Sequence, residues 1–183
     1  MSEVTTLLER NRRFAADFSE GDLAIRPRLS TIVLTCVDAR VDPAHFLGLE
    51  LGDGLVLRNA GGRITPAVLR DLAVLGFLAG HLPGNTAAQL ELAVIHHTDC
   101  GMSRLADPAA QQDVAERLGI EPADVASMAI TDPAASVRAD IETLRRMPGA
   151  PGSLIVSGHV YDVATGSLSE IVEPDPLRIG EAG

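Results

Sequence analysis

Residues 30–40 read Ser-Thr-Ile-Val-Leu-Thr-Cys-Val-Asp-Ala-Arg. The first eight are mostly apolar or β-branched, without the alternation of a half-solvated strand, and the run breaks into charge at Asp38 and Arg40. That is the pattern of a strand buried on both faces, which belongs to a parallel sheet covered by helices. Downstream, Leu55–Arg58 is a second short strand running into Asn59-Ala-Gly-Gly62. Thr65-Pro66 opens a helix to about Gly80, with Thr suited to the cap and Pro to the first turn, and Pro83-Gly84 closes the segment. Leu90–Ile95 is a third strand, followed at once by His96-His97-Thr98-Asp99-Cys100-Gly101. Residues 108–147 carry helical periodicity, broken at Gly119, Pro122 and Asp132-Pro133. Ser153–Ser157 is a fourth strand, Tyr161–Gly166 a turn and Leu168–Val172 a short further strand. Upstream, residues 3–18 form a helix that places Leu7, Leu8, Phe14 and Phe18 on one face, with Gly21 as a stop and Arg26-Pro27-Arg28 as a linker. Strands alternating with helices predict an α/β fold: a mostly parallel four-stranded sheet with a short extra edge strand, flanked by helices. The expected organisation is one domain, with a helical arm over 1–28, a core over 29–173 and a loose tail over 174–183.

The length, 183 residues and 19.2 kDa, suits a single core. Hydrophobic residues make up 46% of the chain but aromatics only 3%, so that core must be aliphatic. Net charge is −10, and all 15 basic residues are arginine. Such acidity argues against nucleic acid or anionic membrane surfaces as partners. No apolar run approaches the 18 residues of a membrane span, and residues 1–13 hold no uninterrupted apolar stretch of the secretory kind, so a cytoplasmic location is expected. The two cysteines, Cys36 and Cys100, are then expected to stay reduced.

Ligands of open α/β sheets bind at the carboxyl ends of the strands. Cys36, Asp38 and Arg40 follow from the first strand, and His97 and Cys100 from the third, which brings two thiols, an imidazole, a carboxylate and a guanidinium to one edge. Thiols 64 residues apart are open to three roles by spacing alone: buried hydrophobes, a redox pair or metal ligands. With His97 they make a Cys₂His set, which leaves one position of a zinc site free and favours zinc over magnesium or calcium. Asp38 and Arg40, two residues apart, can pair bidentately. Strand alternation turns His96 away from His97, toward packing or a backbone contact. Asp99 is either a support for the ligands or turn chemistry. His45 and His81 read as surface residues, and His159 and Tyr161 as packing. Arg58-Asn59 either touches the site or caps the nearby helix, and Gly61-Gly62 permits a tight turn or close backbone approach.

These residues carry a resemblance. Cys36-Val-Asp38-Ala-Arg40 resembles the C-x-D-x-R motif of β-class carbonic anhydrases, His97-Thr-Asp-Cys100-Gly101 their H-x-x-C-G motif, and Arg58-Asn-Ala-Gly-Gly62 the R-N-A-G segment between them. Gly158–Gly166 is similar to the closing strand and turn, so the likeness spans residues 30–172 in the order and spacing of the family's minimal members. The resemblance implies one Zn²⁺ per chain on Cys36, His97 and Cys100, and reversible hydration of carbon dioxide to bicarbonate and a proton. It further implies that hydroxide on the zinc attacks the substrate carbon. Asp38 would orient that hydroxide while Arg40 keeps the carboxylate ionised and turned, and Asp38 is also a conditional fourth ligand. Val37, Ala39, Ala60, Gly61 and Gly62 are placed as lining of the substrate pocket by position. A homodimer or higher symmetric homo-oligomer is implied, with the N-terminal helix packed on a partner subunit. The family's regulatory bicarbonate site uses a Trp in some members, and this chain has none. Relatives of the family hydrolyse carbonyl sulfide or carbon disulfide, which the same zinc site would serve. A non-enzymatic zinc-binding or redox-sensing protein of this fold is the third reading, and Asp38 with Arg40 argues against it, because a structural zinc site needs neither.

Overall fold

The computed structural model describes residues 2–82, 90–146 and 154–177. The elements, in chain order, are α1 (Glu3–Ala16), β1 (Thr31–Cys36), α2 (Pro43–Phe46), β2 (Leu55–Asn59), a 3₁₀ turn (Ala60–Gly62), α3 (Pro66–His81), β3 (Glu91–His97), a second 3₁₀ segment (Gly101–Ala106), α4 (Pro108–Leu118), α5 (Pro122–Ser127), α6 (Pro133–Arg145), β4 (Ile155–Tyr161) and β5 (Leu168–Pro176). One five-stranded sheet runs in the order β2-β1-β3-β4-β5, parallel throughout except for the antiparallel edge strand β5.

Start signals in the sequence explain where the helices begin. Asp42, Thr65, Asp107 and Asp132 each cap a helix whose next residue is proline, accepting bonds from backbone N–H groups of the first turn. Gly119 ends α4 in the left-handed conformation that glycine adopts without a Cβ penalty. The strands take the face-to-face packing that their composition predicts. Ile32 and Leu34 of β1, Leu92 and Val94 of β3 and Val156 of β4 form one buried face, covered by Val68 of α3 and by Val137, Ile141 and Leu144 of α6. All of these are aliphatic, as the scarcity of aromatics requires.

Three differences from the sequence pattern have physical causes. β3 extends to His97 and β4 to Tyr161, because ladder bonds continue through polar residues where both strands still have neighbours. β5 runs nine residues to Pro176 rather than ending at Val172, and Leu177 is buried. The expected loose tail from Pro174 is therefore strand as far as Pro176: pairing with β4 compensates for prolines that the pattern marks as breakers. The expected breaks at Pro83-Gly84 and the start of the fourth strand at Ser153 lie outside the described residues, as do residues 178–183.

Helix α6 lies directly on β4 at Gly158, where a Cβ would stand 2.3 Å from Val137 Cγ1 and 2.9 Å from Ile141 Cδ1. Gly158→Ala should therefore force helix and sheet apart and cost about 1–3 kcal/mol of stability, the usual scale of overpacking. A lowered urea midpoint at unchanged slope is the expected result; an unchanged midpoint would contradict this packing.

Candidate metal centre

β1 and β3 are parallel neighbours, with Thr35 opposite Ile95, so their carboxyl ends emerge side by side. Cys36 is the last residue of β1 and His97 the last of β3. Cys100 follows after Asp99, whose φ of 52° turns the chain back sharply. One ligand atom from each of Cys36, His97 and Cys100 lies within 4.8 Å of the others, and all three residues are buried. His97 Nδ1 lies 2.9 Å from the Thr98 carbonyl oxygen, to which it can donate. That bond leaves Nε2 as the lone-pair nitrogen, buried and without a hydrogen-bond partner among the described residues. A buried imidazole nitrogen left unpartnered beside two thiols fits a metal ligand, and the Nδ1–carbonyl bond fixes the tautomer a ligand needs.

Backbone amides also converge on this cluster. Asp38 N–H and Gly61 N–H both point at Cys36 Sγ, at 3.4 and 3.3 Å. The Cys100 thiol, then His97 and these two amides, pull the Cys36 thiol well below the usual range against the opposing effect of burial. Cys100 moves the other way, pushed up by the Cys36 charge and by burial. The two thiols thus differ in acidity, and binding a cation would require both to give up their protons.

Beside the sulfurs, Asp38 and Arg40 form a two-pronged pair. Oδ1 of Asp38 accepts Arg40 Nε at 3.0 Å and Arg40 backbone N–H at 2.9 Å, and Oδ2 accepts Nη2 at 2.8 Å. The remaining face of the guanidinium is bound by Asp99, through Oδ2 at 2.7 Å and the carbonyl at 3.0 Å. Arg40 holds the Asp38 carboxyl far below the ordinary carboxylate range. Arg58 donates to the carbonyls of Cys36 and Asp38, at 3.0 and 2.8 Å, and so secures the loop on which the pair sits. Asn59 clips the turn behind it by exchanging two bonds with the Arg63 backbone, both 2.8 Å. Inside that turn, Gly62 has φ +68° and a Cβ there would stand 2.8 Å from the Thr35 carbonyl carbon.

The comparisons with known proteins agree with this geometry. A family model of carbonic anhydrases matches residues 31–126. β-Carbonic anhydrase 1 of Mycobacterium tuberculosis is 31% identical over 171 residues, covering 93% of this chain and 99% of the relative. The chain belongs to the β-carbonic anhydrase family. The crystal structure of a carbonic anhydrase from Streptococcus mutans superposes with a TM-score of 0.77 at 34% identity, covering 93% of this chain and 98% of that one. A carbon disulfide hydrolase from an Acidianus species is also similar, at 28% identity over 74% of each chain.

The sheet edge brings together residues distant in sequence, and Cys36, His97, Cys100, Asp38 and Arg40 meet there. Of the residues placed as pocket lining, Gly61 and Gly62 are buried beneath Cys36, whereas Val37, Ala39 and Ala60 are exposed on the chain taken by itself. Asp99 does both things its position allowed: it makes the turn and it pairs with Arg40. Arg58 and Asn59 hold the site's loops rather than cap α3, whose cap is Thr65. His45 and His81 are exposed, and Tyr161 stacks on Phe46 with ring centres 4.4 Å apart. His159 is half-buried with Nε2 2.9 Å from Ser157 Oγ, and burial lowers its pKa. His96 packs as alternation requires, but against a carboxylate, with Nε2 3.2 Å from Asp140 Oδ2. Asp140, Arg63 and Thr98 carry no motif and escaped the sequence reading. Asp140 alone left a signal: a carboxylate on the apolar stripe Val137, Ile141, Leu144.

Because its native pKa is depressed, the Asp38 carboxylate favours the folded state fully above its unfolded value of about 4. That advantage drains away as pH falls from there toward the lower native value. Arg40→Ala removes it. The gap between the urea midpoints of wild type and Arg40→Ala should therefore be widest at pH 6–7 and close as the pH drops below about 4. A gap that stays constant or widens with acid would contradict the pairing.

Proposed function

We propose that this β-carbonic anhydrase family member catalyses the reversible reaction of carbon dioxide and water to bicarbonate and a proton, with one Zn²⁺ per chain held by Cys36, His97 and Cys100. The observation that carries the reading is the unpartnered, buried His97 Nε2 among two cysteine sulfurs, set beside a carboxylate whose acceptor atoms are held in place by arginine. Zinc held by these residues would supply a Lewis acid that lowers the pKa of a coordinated water, less strongly with two thiolates than with neutral ligands. Asp38 stays ionised at any working pH, and its task is to accept a hydrogen bond from the attacking group and aim its lone pair at the substrate carbon. Arg40 keeps Asp38 from swinging toward the metal, where it would compete for the fourth position. Val37 and Ala39, flanking Asp38, present only small apolar side chains, which suits an uncharged linear substrate. Buried free thiols are consistent with a reducing, cytoplasmic setting, and among the described residues no helix is long and apolar enough to cross a membrane.

A second reading keeps the site and changes the substrate to carbonyl sulfide or carbon disulfide. It is supported by the likeness to a carbon disulfide hydrolase. Side-by-side hydration and hydrolysis assays on the zinc-loaded protein separate the two: rapid turnover of carbon dioxide is expected, and turnover of the sulfur compounds alone would replace the first reading by the second.

Assembly belongs to the same proposal. Val4, Leu7, Leu8, Phe14 and Phe18 of the arm are all 45% or more exposed, and α3 leaves Val74, Phe77 and Leu78 uncovered. Two unpartnered apolar faces on one chain call for a second copy. Light scattering at micromolar concentration should give a dimer or a multiple of it; a monomer would count against the arm's role.

Two variants test the site. Cys100→Ser should lose most of its zinc by metal analysis, because a neutral hydroxyl is a poor substitute for a thiolate. Arg40→Ala should keep its zinc yet lose roughly 10²-fold or more in rate, with a shifted pH profile, since it removes only a group that orients another. Full zinc in the first, or unchanged rate and profile in the second, would contradict the assignment.

A further inference from the structure

Among the described residues, one buried ionic cluster lies outside this site. Asp140 of α6 is 2% exposed, and its carboxylate accepts Arg63 Nε at 3.0 Å on Oδ1 and 2.9 Å on Oδ2, and Ile64 N–H at 3.0 Å on Oδ2. His96 Nε2 stands 3.2 Å away, without the alignment of a hydrogen bond. Stability alone does not account for such a pair. A buried ion pair recovers little more than its own desolvation, and apolar side chains of similar volume serve a core equally well.

Position gives the cluster its meaning. Arg63 and Ile64 directly follow the Ala60–Gly62 turn, and Gly61 in that turn donates to Cys36 Sγ. The turn is clipped twice. Asn59 binds the Arg63 backbone from inside, and Asp140 binds the Arg63 side chain and the Ile64 amide from α6. Gly62 meanwhile rests on the Thr35–Cys36 backbone with no space for a Cβ. The inner clip fixes the shape of the turn, and Asp140 ties that shape to α6, with two longer bonds from Arg63 Nη1 to the Ser127 and Met128 carbonyls, both 3.5 Å, beside it. Amide hydrogen bonds to a thiolate draw charge from the sulfur and so set how strongly it binds and donates to a metal.

We propose that Asp140 is a positioning residue for the metal centre: by gripping Arg63 and Ile64 it holds the Ala60–Gly62 turn against β1, so that Gly61 N–H keeps its bond to the Cys36 sulfur. This rests on the reading that Cys36, His97 and Cys100 bind a metal, and the test separates the two. Cobalt(II) replaces zinc at thiolate sites and reports the sulfurs through its thiolate-to-cobalt charge-transfer band. The measurements are that band, and the affinity for zinc by competition with a chromophoric chelator, in wild type and Asp140→Asn. The amide keeps the size of the carboxylate and an acceptor for Ile64 N–H but loses the ionic grip on Arg63. Asp140→Asn should shift the band and weaken zinc binding by about 10- to 100-fold, the usual effect of disturbing groups that support metal ligands. Arg63→Gln, at a side chain only 19% exposed, releases the same grip from the other side without stranding the fold's backbone clip. It should move both readouts in the same direction, and it serves in place of Asp140→Asn if that variant does not fold. A lowered melting temperature with the band and affinity of wild type would show a purely structural pair and overturn the role of Asp140 alone. A wild type that takes up no cobalt and shows no thiolate band would overturn the metal reading, and this one with it.

Discussion

The close approach of the Gly62 backbone to the Thr35–Cys36 peptide governs much of this molecule. No other residue fits there, since a Cβ would fall 2.8 Å from one backbone atom and 2.9 Å from the next. Because the turn can press that close, Gly61 N–H reaches Cys36 Sγ from one side while the amide of Asp38 reaches it from the other. A thiol at the end of a buried strand is ordinarily an inert small hydrophobe. Here two amides point at its sulfur, the neighbouring Cys100 thiol does most to hold its pKa down, and His97 and Cys100 are laid out around it. Arg58, one residue before Asn59, braces the opposite side of the same loop, so the segment Cys36–Asp38 is held between a glycine turn and a guanidinium.

The parallel sheet supplies the rest. Placing β1 and β3 side by side in register sets Cys36 and His97 at one edge by topology, and the left-handed Asp99 folds Cys100 back toward them. The positive φ of a non-glycine residue is a strained choice, offset here by the bonds its side chain and carbonyl make to Arg40. Asp99 is thereby both the hinge that returns Cys100 and the counter-ion that completes the hold on Arg40.

How legible this was in the sequence depended on range. Strand β1, the proline-led helices and the edge on which Cys36, His97 and Cys100 meet follow from local pattern and from the rule that ligands gather at strand ends. Asp38 and Arg40, two residues apart, announce themselves. Asp140 and Arg63, 77 residues apart, do not, because no local rule joins a helix carboxylate to a loop arginine. His96 was legible only in direction: alternation sends it away from His97, but what it meets there depends on how α6 lies across the sheet. The length of β5 was hidden for the opposite reason. Its prolines speak against a strand locally, and only the pairing with β4 overrides them.

The three side chains that brace the site, Arg40, Arg58 and Arg63, are all guanidinium groups, in a chain without a single lysine. Guanidinium stays protonated under any condition in which the protein folds, and its delocalised nitrogens are poor nucleophiles. A lysine in the same positions would carry a primary amine, and the small neutral fraction of a primary amine is nucleophilic. Free amines combine with carbon dioxide to form carbamates, which turns a cation into an anion. A site proposed to act on that gas is thus braced by groups the gas cannot modify, and the charge that steers Asp38 stays constant however much substrate arrives.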